Sequence, residues 1–568
     1  MTYGWQHVFS VSDEVDCPKR PLACLSQLSS PTWSPKQQLE LKGHMLHAAC
    51  RAGDLNSLKS YTLCEADWNE HDDKQRTPLF YAIDVEGHKD LLDIVNFLIN
   101  QGADVNICDT LGHLPLHFAC LRGHASVVKL FLRETVGAKV SVRNFQGQTP
   151  LYFACYKGYT EIVAMLINGG APVELALKDG TTPLMVASDC GHQAVVSVLL
   201  KKGAKVTPVN QLGMTALHYA SSNGNCEIMR KLIDHGAPIN GKNVSGFTPL
   251  YCASSSGRTE AVKLLLQRGA EVDAESEEGA TPLYIASENG HVETVTVLID
   301  GGAKVNLRKR KKGHTPLITA ARHGHKPVID KLLEHQAEVN VQDDSGWTPL
   351  HAACFNGHTA VAHVLIERKA KVDVQDVVGA TPLHLTCDTS ELELSSTLIE
   401  HGAEVHVPNT EGKTPLHVAC IHSYVPVCGL LVEKGAKVSS QDTAGEIPLH
   451  DASKGGYKEI VEFLIDSGSQ VNTKTHNGDT PLHRACKRGH TEAAEALIQQ
   501  GAKINAQNTM GNTPLHCAVK HGHGKKGWTM FTCLLSHQAD PLVKNNQGKS
   551  ARLLAVEKGW MSFRKNSN

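Results

Sequence analysis

A four-residue motif, Thr-Pro-Leu-His or a close variant, recurs about sixteen times between His44 and Ser550, most often at intervals of 33 residues. A fixed interval of this size is typical of a solenoid, in which neighbouring supersecondary units stack and bury a continuous core. A chain of 568 residues would otherwise be expected to divide into several globular domains. The interval therefore predicts one long array of repeats.

The repeat that begins at Thr281 shows how the motif specifies structure. The Thr281 hydroxyl is placed to cap a helix, and Pro282 stands at the first helical position, where its missing N–H costs nothing. Gly290 permits a reversal of the chain, and apolar residues between Val292 and Ile299 follow at helical spacing. Each repeat is thus predicted to be two helices followed by a projecting finger. Neither helix can bury its apolar side within one repeat, so repeats must stack.

A Thr-Pro-Leu-His-x-Ala motif at this interval resembles the ankyrin repeat family. The resemblance implies an all-α fold, an ankyrin-repeat solenoid of stacked helix-turn-helix units with projecting β-hairpin fingers. We assign residues 42–560 to an array of about sixteen repeats. Residues 1–41, which are rich in proline and lack the motif, are predicted to form a partly disordered N-terminal arm, and residues 561–568 a short tail.

The many cysteines and histidines have a structural explanation. Motif histidines are expected from the resemblance to bond the motif threonine and neighbouring backbone. Equivalent positions of stacked repeats are too far apart for a disulfide, and no Cys-x-x-Cys pair occurs. Unpaired thiols favour a reducing compartment, either the cytosol or the nucleus, so we predict a cytoplasmic protein, with the nucleus as a second location, and no cofactor or metal. Seven cysteines share the small position after His-x-Ala or its variants, where cysteine packs as a small apolar residue: Cys50, Cys120, Cys155, Cys354, Cys387, Cys420 and Cys486.

Signatures of catalysis are missing from the sequence. It contains no GxSxG, GxxxxGK[ST] or HExxH motif and no set of kinase motifs, so we predict that the chain is not an enzyme. The balance of 56 basic against 58 acidic residues gives no reason to expect nucleic-acid binding. No apolar run approaches the ~18 residues of a transmembrane helix. The expected partners are one or more proteins.

The resemblance also implies which positions contact partners on the concave surface. Most fingers have a glycine two residues before the motif threonine, called here the motif glycine. The contact positions are the two residues before this glycine, the residue after it, and the two residues before the glycine between the helices. Large apolar side chains of the kind enriched among interface anchors occupy several of these positions. The alternative is that each packs on its own neighbouring finger. The candidates are Trp347 and Phe355 in the tenth repeat, Phe145 and Tyr156 in the fourth, Met214 in the sixth and Phe247 in the seventh.

Two consecutive fingers carry opposite charge. The finger before Thr281 contains acidic residues from Glu271 to Glu278, whereas the next finger contains five consecutive basic residues. An exposed basic run is typical of a nuclear import signal or of a contact with an acidic partner. The acidic finger, one repeat away, could instead offset it. This basic finger consists of Arg308, Lys309, Arg310, Lys311 and Lys312.

Serine replaces the glycine between the helices at Ser390 and Ser423, and two consecutive irregular turns predict a hinge.

Three functional classes agree with the pattern. The first is a scaffold or adaptor, and the second is a regulatory or substrate-recognition subunit of a phosphatase or ubiquitin-ligase complex. The third is a linker between membrane and cytoskeleton. The repeats do not specify the partner, which is what separates these classes.

Overall fold

The computed structural model describes residues 35–62, 66–84, 90–522 and 524–560. These residues form a series of short α-helices, and the chain divides between Glu271 and Val272 into two compact parts, called here the N-terminal and the C-terminal part. The helices are α1 Pro35–Ala52, α2 Leu55–Tyr61, α3 Pro78–Asp84, α4 Leu91–Asn100, α5 Pro115–Arg122, α6 Ala125–Phe131, α7 Pro150–Lys157, α8 Thr160–Asn168, α9 Pro183–Asp189, α10 Gln193–Lys201, α11 Ala216–Asn223, α12 Cys226–Asp234, α13 Pro249–Ser255, α14 Thr259–Gln267, α15 Pro282–Glu288, α16 Val292–Asp300, α17 Pro316–Arg322, α18 Lys326–Glu334, α19 Pro349–Phe355, α20 Thr359–Glu367, α21 Pro382–Thr389, α22 Leu392–Glu400, α23 Pro415–Ile421, α24 Val425–Glu433, α25 Pro448–Gly455, α26 Lys458–Asp466, α27 Pro481–Arg488, α28 Thr491–Gln499, α29 Pro514–His521, α30 Gly524–Ser536 and α31 Ala551–Glu557.

Successive helices pair into repeats, which we number from the first motif, so that α1 and α2 form repeat 1 and α29 and α30 form repeat 15. The last helix, α31, begins repeat 16. Within each part, the first helix of a repeat packs on the first helix of the next, and second helices pack on second helices. The all-α fold of stacked helix pairs that the sequence predicts is confirmed.

The repeat that begins at Thr281 has the predicted local structure. The Thr281 side chain accepts a hydrogen bond from the backbone N–H of Tyr284 and so caps α15. Leu283 and Val295, one from each helix, are completely buried. The apolar sides of both helices therefore form the continuous core that a stacked array requires.

The first helix of the array starts earlier than the sequence suggests. Helix α1 begins at Pro35, within the segment predicted as the N-terminal arm. In the sequence, the prolines of this segment indicate irregular chain. Proline is also well suited to a first helical position, and Pro35 occupies that position in α1. The remainder of the predicted arm, residues 1–34, and the predicted tail, residues 561–568, lie outside the described residues.

The fingers are turns, which differs from the predicted β-hairpins. Among the described residues no β-strand forms, and one isolated antiparallel bridge joins Lys544 and Ser550. A carboxylate or amide side chain closes most of the turns instead: the Asp343 Oδ1 atom accepts hydrogen bonds from the N–H groups of Ser345 and Trp347. Adjacent fingers are joined by isolated backbone bonds, such as that from Val377 N–H to the Ser345 carbonyl. Because Asx turns satisfy the backbone locally, no ladder of strands is needed.

The motif histidine links one repeat to the next. In repeat 11 the His384 Nδ1 atom accepts the Thr381 N–H, and its Nε2–H donates to the carbonyl of Lys413, the residue before the next motif threonine. The two bonds fix the tautomer, with the proton on Nε2. The same inter-repeat bond joins His218 to Phe247, His351 to Ala380, His417 to Glu446, His450 to Asp479, His483 to Asn512 and His516 to Lys549.

The seven cysteines predicted to fill a small apolar position are all completely buried and all free thiols. The Sγ atoms of Cys420 and Cys428, on the two helices of repeat 12, lie 3.7 Å apart. Burial raises the pKa of the Cys420 thiol well above its usual range, because the thiolate would lose its hydration. The cysteines are therefore packing residues, as their position in the motif indicates.

Serine at the turns of repeats 11 and 12 adopts the backbone conformation that glycine adopts elsewhere. Ser390 has φ 66° and Ser423 has φ 68°, against φ 83° for Gly456 in the next turn. The Ser390 N–H bonds the Thr386 carbonyl as in a glycine-capped helix. The side chain is thus accommodated at the cost of a left-handed conformation, and the predicted hinge remains a prediction.

The buried histidines make the stability of the array depend on pH. Burial lowers the pKa of His384, His417 and His450 from 6.5 to about 4, so the folded chain binds fewer protons than the unfolded chain between these values. Their contribution to stability is complete above pH 6.5 and is lost as the pH falls through this window, by up to about 1.4 kcal/mol per pH unit for each histidine. Urea unfolding at about pH 7 and about pH 5 measures the loss.

Tyrosine at the three positions provides the control, because Tyr152 occupies the equivalent position in repeat 4. The combined variant His384→Tyr, His417→Tyr and His450→Tyr should show a smaller difference between the two pH values than the natural chain. An equal difference would assign the pH dependence to other groups.

The left-handed serines give a second prediction. Ser390→Gly and Ser423→Gly should each stabilise the array by about 0.5–1 kcal/mol, because glycine adopts φ > 0 without steric strain. Ser256→Gly is the matched control, since Ser256 has φ −92° and glycine there should destabilise. Hydrogen exchange over residues 380–440, with urea unfolding, checks both directions. Equal effects of glycine at all three positions would show that the backbone strain is absent.

Candidate protein-binding surface

The residue before the motif threonine has a fixed backbone in most repeats and a variable side chain. An Asx turn holds its N–H in most fingers, as for Trp347, and in repeats that follow a motif histidine the inter-repeat bond holds its carbonyl. Its side chain lies beside the exposed residues in the last turn of the first helix. We call the surface made by these two sets of residues the first-helix face.

An aromatic cluster occupies this face in repeats 9 and 10. The rings of Trp347 and Phe355 lie 5.2 Å apart, and the guanidinium of Arg322, from the preceding repeat, lies 5.6 Å from the centre of the indole. The indole Nε1–H donates to the Asp376 carboxylate at 3.2 Å. Trp347 is half-buried and Phe355 is 40% exposed. The structure therefore brings together the two predicted residues of the tenth repeat and adds Arg322, which the prediction omitted.

The four candidates in the N-terminal part have separate surroundings. Phe145 is at a finger tip and is 66% exposed, and Tyr156 is half-buried beside the parallel ring of Tyr152 at 6.2 Å. Phe247 stacks on Tyr251 with ring centres 4.2 Å apart. Met214 is half-buried, and its Sδ atom accepts a hydrogen bond from Asn243. Phe247 thus packs on a first-helix residue of its own repeat and not on a neighbouring finger, whereas Phe145 is open to solvent.

Sequence reasoning missed two kinds of residue on this surface. Tyr152 and Tyr251 replace the motif histidine, and this departure from the motif was the signal that could have found them. Exposed apolar residues at finger tips stand one or two positions before the motif glycine, where partner contacts were expected but only Phe145 was named. These residues are Leu111, Leu212, Val244, Val377, Val378 and Met510.

Acidic residues neutralise most of the basic finger. Glu278 accepts from Lys309 at 2.8 Å and from Lys311 at 3.3 Å, and Arg310 pairs with Glu275 at 2.8 Å. Hydrogen bonds from the two lysines hold the pKa of Glu278 below its usual range. Arg308 pairs with Asp344 on the following finger at 2.9 Å. Of the five basic residues, Lys312 alone has no ion pair among the described residues. The structure thus shows ion pairs between the basic finger and the neighbouring acidic finger, as in the second of the two interpretations.

Comparison with known proteins identifies the repeats. A family model described as ankyrin repeats in three copies matches residues 46–144, 135–210, 206–276, 283–376, 370–442 and 449–545, which is most of the chain. The chain belongs to the ankyrin repeat family. Ankyrin repeats generally act as protein–protein interaction modules, and the helix pairs with fingers described above are their structural units.

Neither a metal site nor a membrane-spanning helix is found among the described residues. The part of the chain that the structure describes has no group of three or more histidine, cysteine or acidic side chains placed to hold a metal ion. Within the same ranges, no helix has both the length and the apolar composition needed to cross a bilayer.

The ion pairs of the basic finger predict a salt-dependent contribution to stability. Replacing Lys309, Arg310 and Lys311 by alanine should lower the melting temperature modestly, and the difference should shrink between about 50 mM and about 500 mM NaCl because exposed charges are screened. Imaging of the same variant tests the alternative of a nuclear import signal. An unchanged melting temperature together with loss from the nucleus would show that the finger serves import and that its ion pairs contribute no stability.

Proposed function

We propose that the chain is a non-enzymatic scaffold or adaptor that holds partner proteins on the concave face and fingers of its ankyrin array. The cluster of Trp347, Phe355 and Arg322 carries this proposal. Tryptophan and arginine are enriched among the residues that dominate binding energy at protein interfaces. Here both kinds of side chain meet at a partly exposed position of the first-helix face.

The cluster is held in place before any partner arrives. The bond from the Trp347 indole to Asp376 and the contacts with Phe355 and Arg322 restrict the rotamers of the indole. A side chain that is already ordered loses little conformational entropy on binding. These features support an anchor for a partner protein.

The second candidate, a regulatory or substrate-recognition subunit of a phosphatase or ubiquitin-ligase complex, uses the same binding chemistry inside an enzyme assembly. The identity of the bound protein separates the two. For location we propose the cytoplasm, because the buried free thiols suit a reducing compartment. Imaging of the tagged natural chain tests the location, and an extracellular or luminal signal would contradict it.

Affinity purification from cells followed by mass spectrometry tests the function. Partners that depend on Trp347 and Phe355 and lack catalytic subunits support a scaffold or adaptor. Stoichiometric recovery of a phosphatase or ligase catalytic subunit supports the second candidate. Both candidates would be contradicted if the natural chain recovered no protein beyond those recovered by the variant Trp347→Ala with Phe355→Ala.

The variant Trp347→Ala with Phe355→Ala should weaken binding of a purified partner by about 2 kcal/mol or more, which is roughly thirtyfold. Leu92→Ala with Leu392→Ala is the matched control, since these leucines are 41% and 43% exposed and lie on second helices. Titration calorimetry measures binding, and melting curves report the folded fraction. A loss of thermal stability with unchanged affinity would show that the two aromatic residues serve packing.

A further inference from the structure

The last turns of the first helices become basic in three consecutive repeats. The two residues before the turn between the helices are Lys454 and Gly455 in repeat 13, Lys487 and Arg488 in repeat 14, and Lys520 and His521 in repeat 15. Except for the half-buried Lys487, these five basic residues are exposed. In the three repeats before them the same positions hold Phe355 and Asn356, Asp388 and Thr389, and Ile421 and His422. We call Lys454, Lys487, Arg488, Lys520 and His521 the basic groove.

In contrast to the basic finger, the basic groove has no ion-pair partners among the residues that the structure describes. In the described residues of repeats 12 to 16, no ion pair includes a member of the groove. The groups that do form ion pairs there, counting histidine when protonated, are Lys413, His422, Lys458, Arg484 and Lys549. A further cation is directed to the same place, since the Lys558 ammonium donates to the carbonyls of Lys520 and Gly522.

The electrostatic environment shows that these charges act together. Burial lowers the pKa of His521, and Lys487, Lys520 and Lys558 lower it further. The pKa of His490 is lowered by burial and, among nearby charges, by Lys526 and Arg488. Protonation is disfavoured where positive charge already accumulates, so the groove is a region of positive potential.

A pocket of about 280 Å³ lies in the groove. Lys454, Arg488 and His490 line it together with Asp451, whose side chain is 1% exposed. The Asp451 Oδ1 atom accepts from Lys413 at 3.1 Å, whereas its Oδ2 atom is buried without a hydrogen-bond partner. The pocket is smaller than the ~300–1,000 Å³ typical of small-molecule sites, and it combines a basic rim with a buried carboxylate.

We propose that the basic groove binds an extended acidic segment of a partner protein. Carboxylates of the segment pair with the cations of repeats 13 to 15, and the uncharged residues between them pass the pocket beside Asp451. Helices of neighbouring repeats pack about 8–10 Å apart, and an extended chain advances about 3.3 Å per residue. Acidic side chains at every third residue therefore match successive repeats.

The carboxylates in the groove favour a peptide over a nucleic acid. Asp451 lines the first pocket, and Glu492 lines a second pocket that shares His490. A phosphodiester backbone carries a charge at every nucleotide, whereas a peptide with an acidic side chain at every third residue can place neutral residues beside these carboxylates. Both pockets thus combine cations with a carboxylate, which suits spaced rather than continuous negative charge.

Fluorescence anisotropy with the full chain tests the proposal. The probe is a labelled peptide of about nine residues with glutamate at every third position and glycine or serine elsewhere. Lys487→Ala with Arg488→Ala should weaken its binding about tenfold or more, and binding should fall with added salt. Lys434→Ala with Lys437→Ala removes the same charge from exposed positions outside the first-helix face and should leave binding unchanged. Melting curves confirm that both variants fold.

Two further probes complete the test. A peptide of the same composition with its glutamates adjacent should bind more weakly if spacing matters. A labelled single-stranded oligonucleotide that bound more tightly than the acidic peptide, and lost binding in the Lys487 and Arg488 variant, would overturn the proposal in favour of a nucleic acid. Equal binding of the acidic peptide by the natural chain and that variant would also overturn it.

The inference rests on the proposed function, because both require the array to bind proteins, but the two can fail separately. If Trp347→Ala with Phe355→Ala loses partners while the acidic peptide does not bind, the inference is wrong and the proposed function stands. If the peptide binds through Lys487 and Arg488 while the aromatic variant keeps all partners, the inference stands and the aromatic anchor is wrong.

Discussion

The hydrogen bond from a motif histidine to the carbonyl 29 residues later connects the fold to the binding surface. In repeats 10 to 14 it fixes the carbonyl of the residue before the next motif threonine. A side chain of the finger turn, Thr475 in one repeat and an aspartate or asparagine in the others, fixes the N–H of the same residue. The backbone at this position is thus the same in each of these repeats, whereas the residue type varies: alanine at Ala380, lysine at Lys413, glutamate at Glu446, aspartate at Asp479 and asparagine at Asn512. Several of these side chains also contact other repeats, since Lys413 pairs with Asp451 and Arg484 pairs with Glu446 and Asp479. A common backbone thus holds a different side chain, with different contacts, in each repeat.

The basic finger and the basic groove differ in whether carboxylates of the described chain pair with their cations. The basic finger is continuous in sequence, but carboxylates on the neighbouring fingers face it, and Glu278 alone accepts from two of its lysines. The basic groove is spread over three repeats, and no carboxylate in the described chain pairs with it. Exposed pairs contribute little to stability, and unpaired cations attract acidic partners over longer distances. The groove is therefore the better candidate for recognition.

The motif predicted most of the fold because each of its residues has a local role. The threonine caps and the proline starts a helix, and buried leucines such as Leu283 fill the core. Contacts between repeats were harder to predict. Trp347 and Phe355 were found because they belong to one repeat, whereas Arg322 lies in the preceding one. The basic groove was missed because its cations stand about one repeat apart in sequence and form no local run, although they share one face of the fold.

The two candidate sites of the C-terminal part are separated by the repeats whose turns contain Ser390 and Ser423. The aromatic cluster lies in repeats 9 and 10, and the basic groove lies in repeats 13 to 15. In a solenoid each repeat contacts only its neighbours, so a change of stability in repeats 11 and 12 acts on the interfaces between the sites and not on the contacts within either. A left-handed serine costs conformational strain while leaving the turn geometry intact. The strain of these two turns therefore lies between the sites, where its relief would leave the contacts within either site unchanged.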